Sequence, residues 1–299
     1  MLTLRDLAEL AERHGDALQA EVASFSLAGR HFDFNRETHL MGVVNLSPQS
    51  WYRESVALSA EAAVWRGRVL LAQGASIVDV GAESSLAHAE RAGEAAQRSA
   101  LLPVVKELAQ AGACVSVETY HPEVATACLD AGARVLNLTG TDRSERLFRE
   151  VAAHEAGVII CFVQGANVRE VGDLDLQRDP VGALYEFFAR QIELAEKCGV
   201  RRIWVDPGLG FYYRNLQDSA VRIRHQMDVF LGTFRLRALG WPTCHALPHA
   251  FECFEEEVRS AEPFFAVLAC LGKTDLLRTH EVAKVRGVVG ALRLFGAPS

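Results

Sequence analysis

The 299-residue chain lacks several features that would place it quickly. Its longest apolar run, Pro263 to Leu271, is far short of the roughly 20 residues a membrane-spanning helix needs. No basic cluster exceeds Arg201-Arg202, and the net charge is −7, so neither nucleic acid nor an anionic membrane is an expected partner. The seven cysteines include no C-x-x-C pair, which argues against a zinc ribbon or a dithiol redox motif and fits reduced, buried thiols. A Gly-rich phosphate loop, an H-E-x-x-H helix and a G-x-S-x-G turn are all missing, and the histidines show no metal-ligand spacing. The amphipathic, acid-containing start (MLTLRDLAELAERHGD) resembles neither a signal peptide nor a transit peptide, so a cytoplasmic location is expected.

What is present is core-forming material, with 49% hydrophobic and 23% charged residues. Residues 3–20 read as one helix with Leu4, Leu7, Leu10 and Ala11 on a face, and residues 25–34 as a hairpin turning at Gly29-Arg30. A cycle follows: an amphipathic helix ends at a glycine, and a short apolar strand begins within a few residues. Gly74, Gly112, Gly132, Gly157, Gly199, Gly240 and Gly272 hold those positions, where a left-handed helix cap favours glycine. With MGVVN as the first, the cycle gives eight strands with almost no polar alternation, as in a parallel sheet covered on both faces. An α/β fold of the closed (β/α)8 type is expected, with an open doubly wound sheet as the competitor. Residues 1–38 would form an N-terminal helix and hairpin covering the bottom, and residues 39–299 the barrel, in a single domain.

In such a barrel chemistry belongs at the C-terminal ends of the strands. Those ends carry Asn45, Asp79, Glu83-Ser84-Ser85, Glu118-Thr119, Asn137, Gln164, Asp206, the pair His245 and His249, and Arg278-Thr279-His280. Each could merely cap a turn or satisfy a loop, and His245 sits within an apolar strand as a core histidine would. Polar groups at nearly every end exceed what capping needs. Carboxylates and an amide suit the N–H edge of a nitrogen heterocycle, and an arginine with a histidine suits an anion.

Five segments carry a resemblance to a known family: MGVVNLSPQSW (41–51), IVDVGAESS (77–85), VSVETYHPEVATACLDAGARVLN (115–137), WVDPGLGF (204–211) and LLRTHEV (276–282). The chain is identified as a member of the dihydropteroate synthases, pterin-binding (β/α)8 transferases of folate biosynthesis, over roughly residues 25 to 295. These enzymes join a dihydropterin methyl pyrophosphate to p-aminobenzoate with loss of pyrophosphate. The resemblance implies a pterin as the small-molecule partner, read by Asp79, Glu118, Asn137, Asp206 and Arg278. It implies that Asn45, Arg278 and His280 serve the pyrophosphate and catalysis, with Asn45 meeting an Mg2+ that arrives with that substrate. No tightly bound cofactor is expected, and a homodimer is compatible with the family.

The departures from the pattern are specific. Glu118 stands for an aspartate, Ser47-Pro48-Gln49 for Thr-Pro-Asp, and Phe162 for a histidine. Ser84-Ser85-Leu86-Ala87-His88 lacks the arginine of Ser-Thr-Arg-Pro-Gly. The loop expected to read Gly-x-Ser-Arg-Lys is HALPHAF (245–251), with Ala250 near the place of the pterin-binding lysine, and residues 240–255 contain no lysine. His249 and, less readily, His245 are candidate replacements in this loop. The leading expectation is a pterin-binding relative with altered or absent synthase activity. A working synthase with a rebuilt second-substrate site is one alternative; a non-catalytic pterin binder or a reduced-folate methyltransferase relative is the other.

Overall fold

A computed structural model describes residues 1–50, 52, 55–84, 91–175, 179–210 and 213–296. Trp51, Phe211 and the Ser85–His88 part of the second loop lie outside the described residues.

The first helical stretch is two helices, α1 (Leu4–Arg13) and α2 (Gly15–Leu18), in place of the one expected. His14, at φ −129 and ψ 35, breaks the run just before Gly15, a residue that costs a helix interior about 1 kcal/mol. Thr3 and Asp6 form a reciprocal cap at the start of α1. The expected hairpin forms, β1 (Phe25–Leu27) against β2 (Arg30–Phe32), but it turns at Ala28-Gly29, both left-handed, one residue before the expected Gly29-Arg30.

Eight parallel strands follow: β3 (His39–Asn45), β4 (Ile77–Gly81), β5 (Val115–Glu118), β6 (Val135–Leu138), β7 (Gly157–Cys161), β8 (Ile203–Asp206), β9 (Cys244–Ala246) and β10 (Leu276–Thr279). Their order is β8-β7-β6-β5-β4-β3-β10-β9, and a Val205–Thr243 bridge brings the two ends together. This is a (β/α)8 barrel. Its helices are α3 (Ala60–Gln73), α4 (Glu94–Gln110), α5 (Pro122–Asp130), α6 (Ser144–Ala153), α7 (Pro180–Lys197), α8 (Ser219–Gly232), the short α9 (Phe251–Phe254), α10 (Ala261–Leu271) and α11 (Val282–Gly296). Among the described residues no helix is long and apolar enough to cross a membrane.

Two of the seven glycine caps differ from expectation. Gly157 opens β7 and Gly272 has φ −80; the left-handed residues beside them are Glu155 (φ 49) and Lys273 (φ 58). A Cβ at Gly272 would meet the Phe230 carbonyl oxygen at 1.8 Å, so close approach, and not φ, requires glycine there.

The strands also alternate more than their apolar composition predicts. Val78, Val80, Val115, Val117, Leu136, Leu138, Ile203 and Val205 belong to the core shared with the helices. Their alternates Ile77, Val135, Ile159, Trp204, Cys244 and Leu276 fill the barrel interior. Higher on that same inner face stand Asp79, Ser116, Asn137 and Asp206, all buried. Phe25, Phe32 and Phe34 pack against Trp204 with ring centroids 4.8–6.2 Å apart, so the hairpin closes the N-terminal end with aromatic surface.

Candidate functional site

Strand parity decides which polar side chains meet at the C-terminal end. Asp79 is the hub: Oδ1 accepts from the Ser116 hydroxyl at 2.6 Å, and Oδ2 accepts from Asn137 Nδ2 at 3.0 Å and Arg278 Nε at 2.8 Å. The Arg278 guanidinium also donates to Glu118, and the Cys161 thiol donates to Asn137 Oδ1 at 3.2 Å. Asp206 completes the ring of acids and accepts from the Gly208 N–H at 2.8 Å. Strands β4, β5, β6, β8 and β10 thus each deliver one of the five residues expected to read a heterocycle.

Two carboxylates pair with Arg278, and a third, Asp206, lies within reach of its charge. Burial, reinforced by the neighbouring Asp79 and Asp206 charges and opposed by Arg278, pushes the Glu118 carboxyl up to about 7. Burial likewise pushes Asp206 up to about 6. Burial disfavours the charge on Arg278, but Glu118 and Asp79 outweigh it and hold the guanidinium above its ordinary pKa.

Above this floor lies a cavity of about 310 Å³ whose lining includes Asn45, Tyr52, Glu118, His249, Arg278 and His280. Asp79, Asn137 and Asp206 are only 0–3% exposed, and the Arg278 guanidinium of the cavity wall bonds to Asp79. Asn45 donates through Nδ2 to the Ser55 hydroxyl at 2.6 Å, and Ser55 donates to the Tyr52 carbonyl at 2.7 Å, which ties Tyr52 and Ser55 to the end of β3. Glu83 also lines it, receiving the Tyr120 hydroxyl at 2.8 Å. Gln164 instead lines a neighbouring cavity with Phe162 and Tyr213.

His245 and His249 separate as parity dictates. His245 alternates with the inward Cys244 and Ala246, so it faces outward, fully buried, with Nε2 2.7 Å from the Thr233 hydroxyl. Burial brings its pKa down to about 3. His249 lines the cavity and is held near 4 by burial and by the adjacent His280.

His280 is not part of the acidic floor. Its Nδ1 lies 2.6 Å from Oε1 of Glu262, a residue of α10 without side-chain exposure. The spacing of the histidines along the chain does not register that His249, Glu262 and His280 converge, one donor atom from each lying within 4.8 Å of the others. Glu262 and Tyr52 went unnoticed because one adjoins the apolar run of α10 and the other follows a turn. Neither position has a periodic signal.

Residues 41–280 match the family described as pterin binding enzyme, and the chain belongs to that family. Within it the likeness is to dihydropteroate synthases. That of Mycobacterium leprae is 30% identical over 268 residues, covering 86% of this chain and 92% of that protein. That of Synechocystis is 29% identical over 184 residues, 60% of this chain and 63% of that one. The match spans 43% of an Arabidopsis folate synthesis bifunctional protein. The Xanthomonas albilineans dihydropteroate synthase, solved with 4-aminobenzoic acid, superposes with a TM-score of 0.76 at 25% identity over 92% of this chain and 99% of that one.

Proposed function

We propose that this chain binds a reduced pterin in the mouth of its barrel, as a dihydropteroate-synthase-like protein whose synthase activity is altered or lost. The observation that carries the first half is the floor of buried Asp79, Asn137 and Asp206 with the half-buried Glu118, around Arg278. A flat heterocycle with N–H donors and a carbonyl on one edge needs carboxylates, an amide and a cation on one surface. Carboxyls raised toward neutrality add a donor option that ionised acids lack. Arg278 and Glu118 line the cavity and meet the ligand first, with Asp206 and Asn137 buried beneath them.

The second half rests on what surrounds the floor. The loop at 245–251 brings Pro248, His249 and Ala250 to the cavity where the family pattern has Ser-Arg-Lys. A charged hydrogen bond is worth about 1.5–3 kcal/mol, so losing that lysine weakens pyrophosphate-substrate binding or turnover roughly ten- to a hundred-fold. In the synthase reaction an aromatic amine attacks the exocyclic methylene, the C–O bond to pyrophosphate breaks and the amine loses a proton. Asn45 suits an Mg2+ that travels with pyrophosphate: its amide nitrogen is committed to Ser55, which leaves the amide oxygen for the ion.

The test is calorimetric titration with a 7,8-dihydropterin, followed by a synthase assay with dihydropterin methyl pyrophosphate and p-aminobenzoate. Binding below millimolar concentration with little turnover is expected, and a parent protein that binds no dihydropterin in that range refutes the reading. The second reading, a working synthase, is favoured by the alignment along 92% of the M. leprae enzyme, and full turnover in the same assay selects it.

A further inference from the structure

The pterin floor leaves one buried group unexplained. Glu262 is a carboxylate with no exposed surface, and two imidazoles face its Oε1, His280 Nδ1 at 2.6 Å and His249 Nδ1 at 4.0 Å. A carboxylate taken out of water requires a cation or a dense set of donors. Its other oxygen has the donors. Oε2 accepts from the Thr279 hydroxyl and from the backbone N–H groups of His280 and Glu281, at 2.9 and 3.2 Å for the latter two. Oε2 is thereby pinned to the end of β10, and Oε1 is aimed at the two rings.

Those rings are held in place from the first loop. Tyr52 stacks on His280 at 4.4 Å and 15° and on His249 at 5.2 Å and 24°, while its hydroxyl donates to Glu281. Both histidines line the cavity.

We propose that His249, Glu262 and His280 are the protein ligands of a divalent transition metal of the zinc type, its remaining position open to the cavity. Two imidazoles and one carboxylate form a set that leaves a zinc ion an exchangeable site, and nitrogen donors select such a metal over Mg2+ or Ca2+. Metal bonds of 2.0–2.2 Å place tetrahedral ligand atoms about 3.4 Å apart, so the widest of these separations, within 4.8 Å, closes, while His280 Nδ1 and Oε1, now 2.6 Å apart, move apart to admit the ion. His280 exchanges its hydrogen bond to Oε1 for the ion. The metal returns positive charge to the loop in which the family pattern carries Arg and Lys. That consequence for an anionic ligand rests on the pterin reading; the metal site itself does not.

The experiment is titration of Zn2+ and Co2+ into chelator-treated full-length protein, read by calorimetry and by the visible d–d absorption of bound Co2+. One ion per chain is expected, with His249→Ala and His280→Gln each weakening binding by more than the roughly tenfold at which outer-shell effects begin. Glu262→Gln is read beside its thermal unfolding, and the two histidine variants carry the test if it does not fold. No stoichiometric ion on the parent, or either histidine variant within tenfold of it, overturns the proposal. If the ion binds as expected but a dihydropterin fails to bind, the pterin reading alone has failed.

Discussion

The two ends of this barrel are built from the same inward-facing positions and differ in nearly every physical respect. At the N-terminal end those positions are Met41, Ile77, Val135, Trp204 and Leu276, sealed by the hairpin phenylalanines. One or two steps further along the same strands they become Asp79, Asn137, Asp206 and Arg278. One end lowers free energy by excluding water. The other pairs two carboxylates with one guanidinium and buries a third carboxyl beside them, an arrangement that ordinary packing does not require and a polar ligand does.

The comparison implies that the ends fail differently. Trp204→Ala removes a fully buried indole from the sealed end and is expected to destabilise the fold by about 3–5 kcal/mol. In whatever fraction remains folded, dihydropterin affinity should stay within a few-fold of the parent. Urea unfolding and calorimetry on the same preparation check both halves, and a large loss of affinity in this variant would break the separation.

Arg278→Met breaks the open end at its centre. It leaves Asp79 and Glu118 without their shared cation, a loss expected to cost about 3 kcal/mol of stability and to abolish dihydropterin binding. The sharper signature is the loss of both properties together, since Trp204→Ala moves only the first. Denaturation monitored alongside titration tests the pairing, and intact binding by Arg278→Met would remove the floor from the ligand site.

Asn137→Ala and Asp206→Ala ask less of the fold. Each removes one partner of the heterocycle edge, and dihydropterin binding should weaken by about 2 kcal/mol per site. Binding by both variants with the parent's affinity would refute their assignment.

The difference between the ends also explains what the sequence discloses. The sealed end and the helical shell follow from apolar runs closed by helix ends, and both the barrel and its hairpin were legible that way. The acidic floor was legible as polar residues at strand ends, because a strand's period of two carries Asp79, Asn137 and Asp206 to one face. The histidine–glutamate cluster was not. Glu262 reaches Thr279 and His280 from a helix outside the barrel, and nothing in the spacing of residues 249, 262 and 280 records that a helix start, a loop and a strand end converge. Nor does the chain order say that α1 breaks at His14, where one residue leaves helical geometry.

The smallest expected effect concerns His245, which belongs to neither end. It faces the helices, one residue away from the inner wall, and burial lowers its pKa to about 3 from an ordinary value near 6.5. Above pH 6.5 the ring is neutral in folded and unfolded chains alike and contributes no pH dependence. Between about 6.5 and 3 the unfolded chain takes up a proton that the folded chain refuses, so stability falls as pH falls. The contribution of one such group is about 1.4 kcal/mol per pH unit. Glu118 and Asp206, whose folded pKa values are raised, act in the opposite sense over the upper part of this window, so the parent's own curve does not isolate the histidine. The difference between parent and His245→Gln does. The parent's unfolding free energy should lose about 1.4 kcal/mol more than the variant's for each unit of acidification from pH 6 to pH 4. Parallel curves for the two proteins would mean that His245 takes up a proton in the folded state, and the outward, sealed position assigned to it would be wrong.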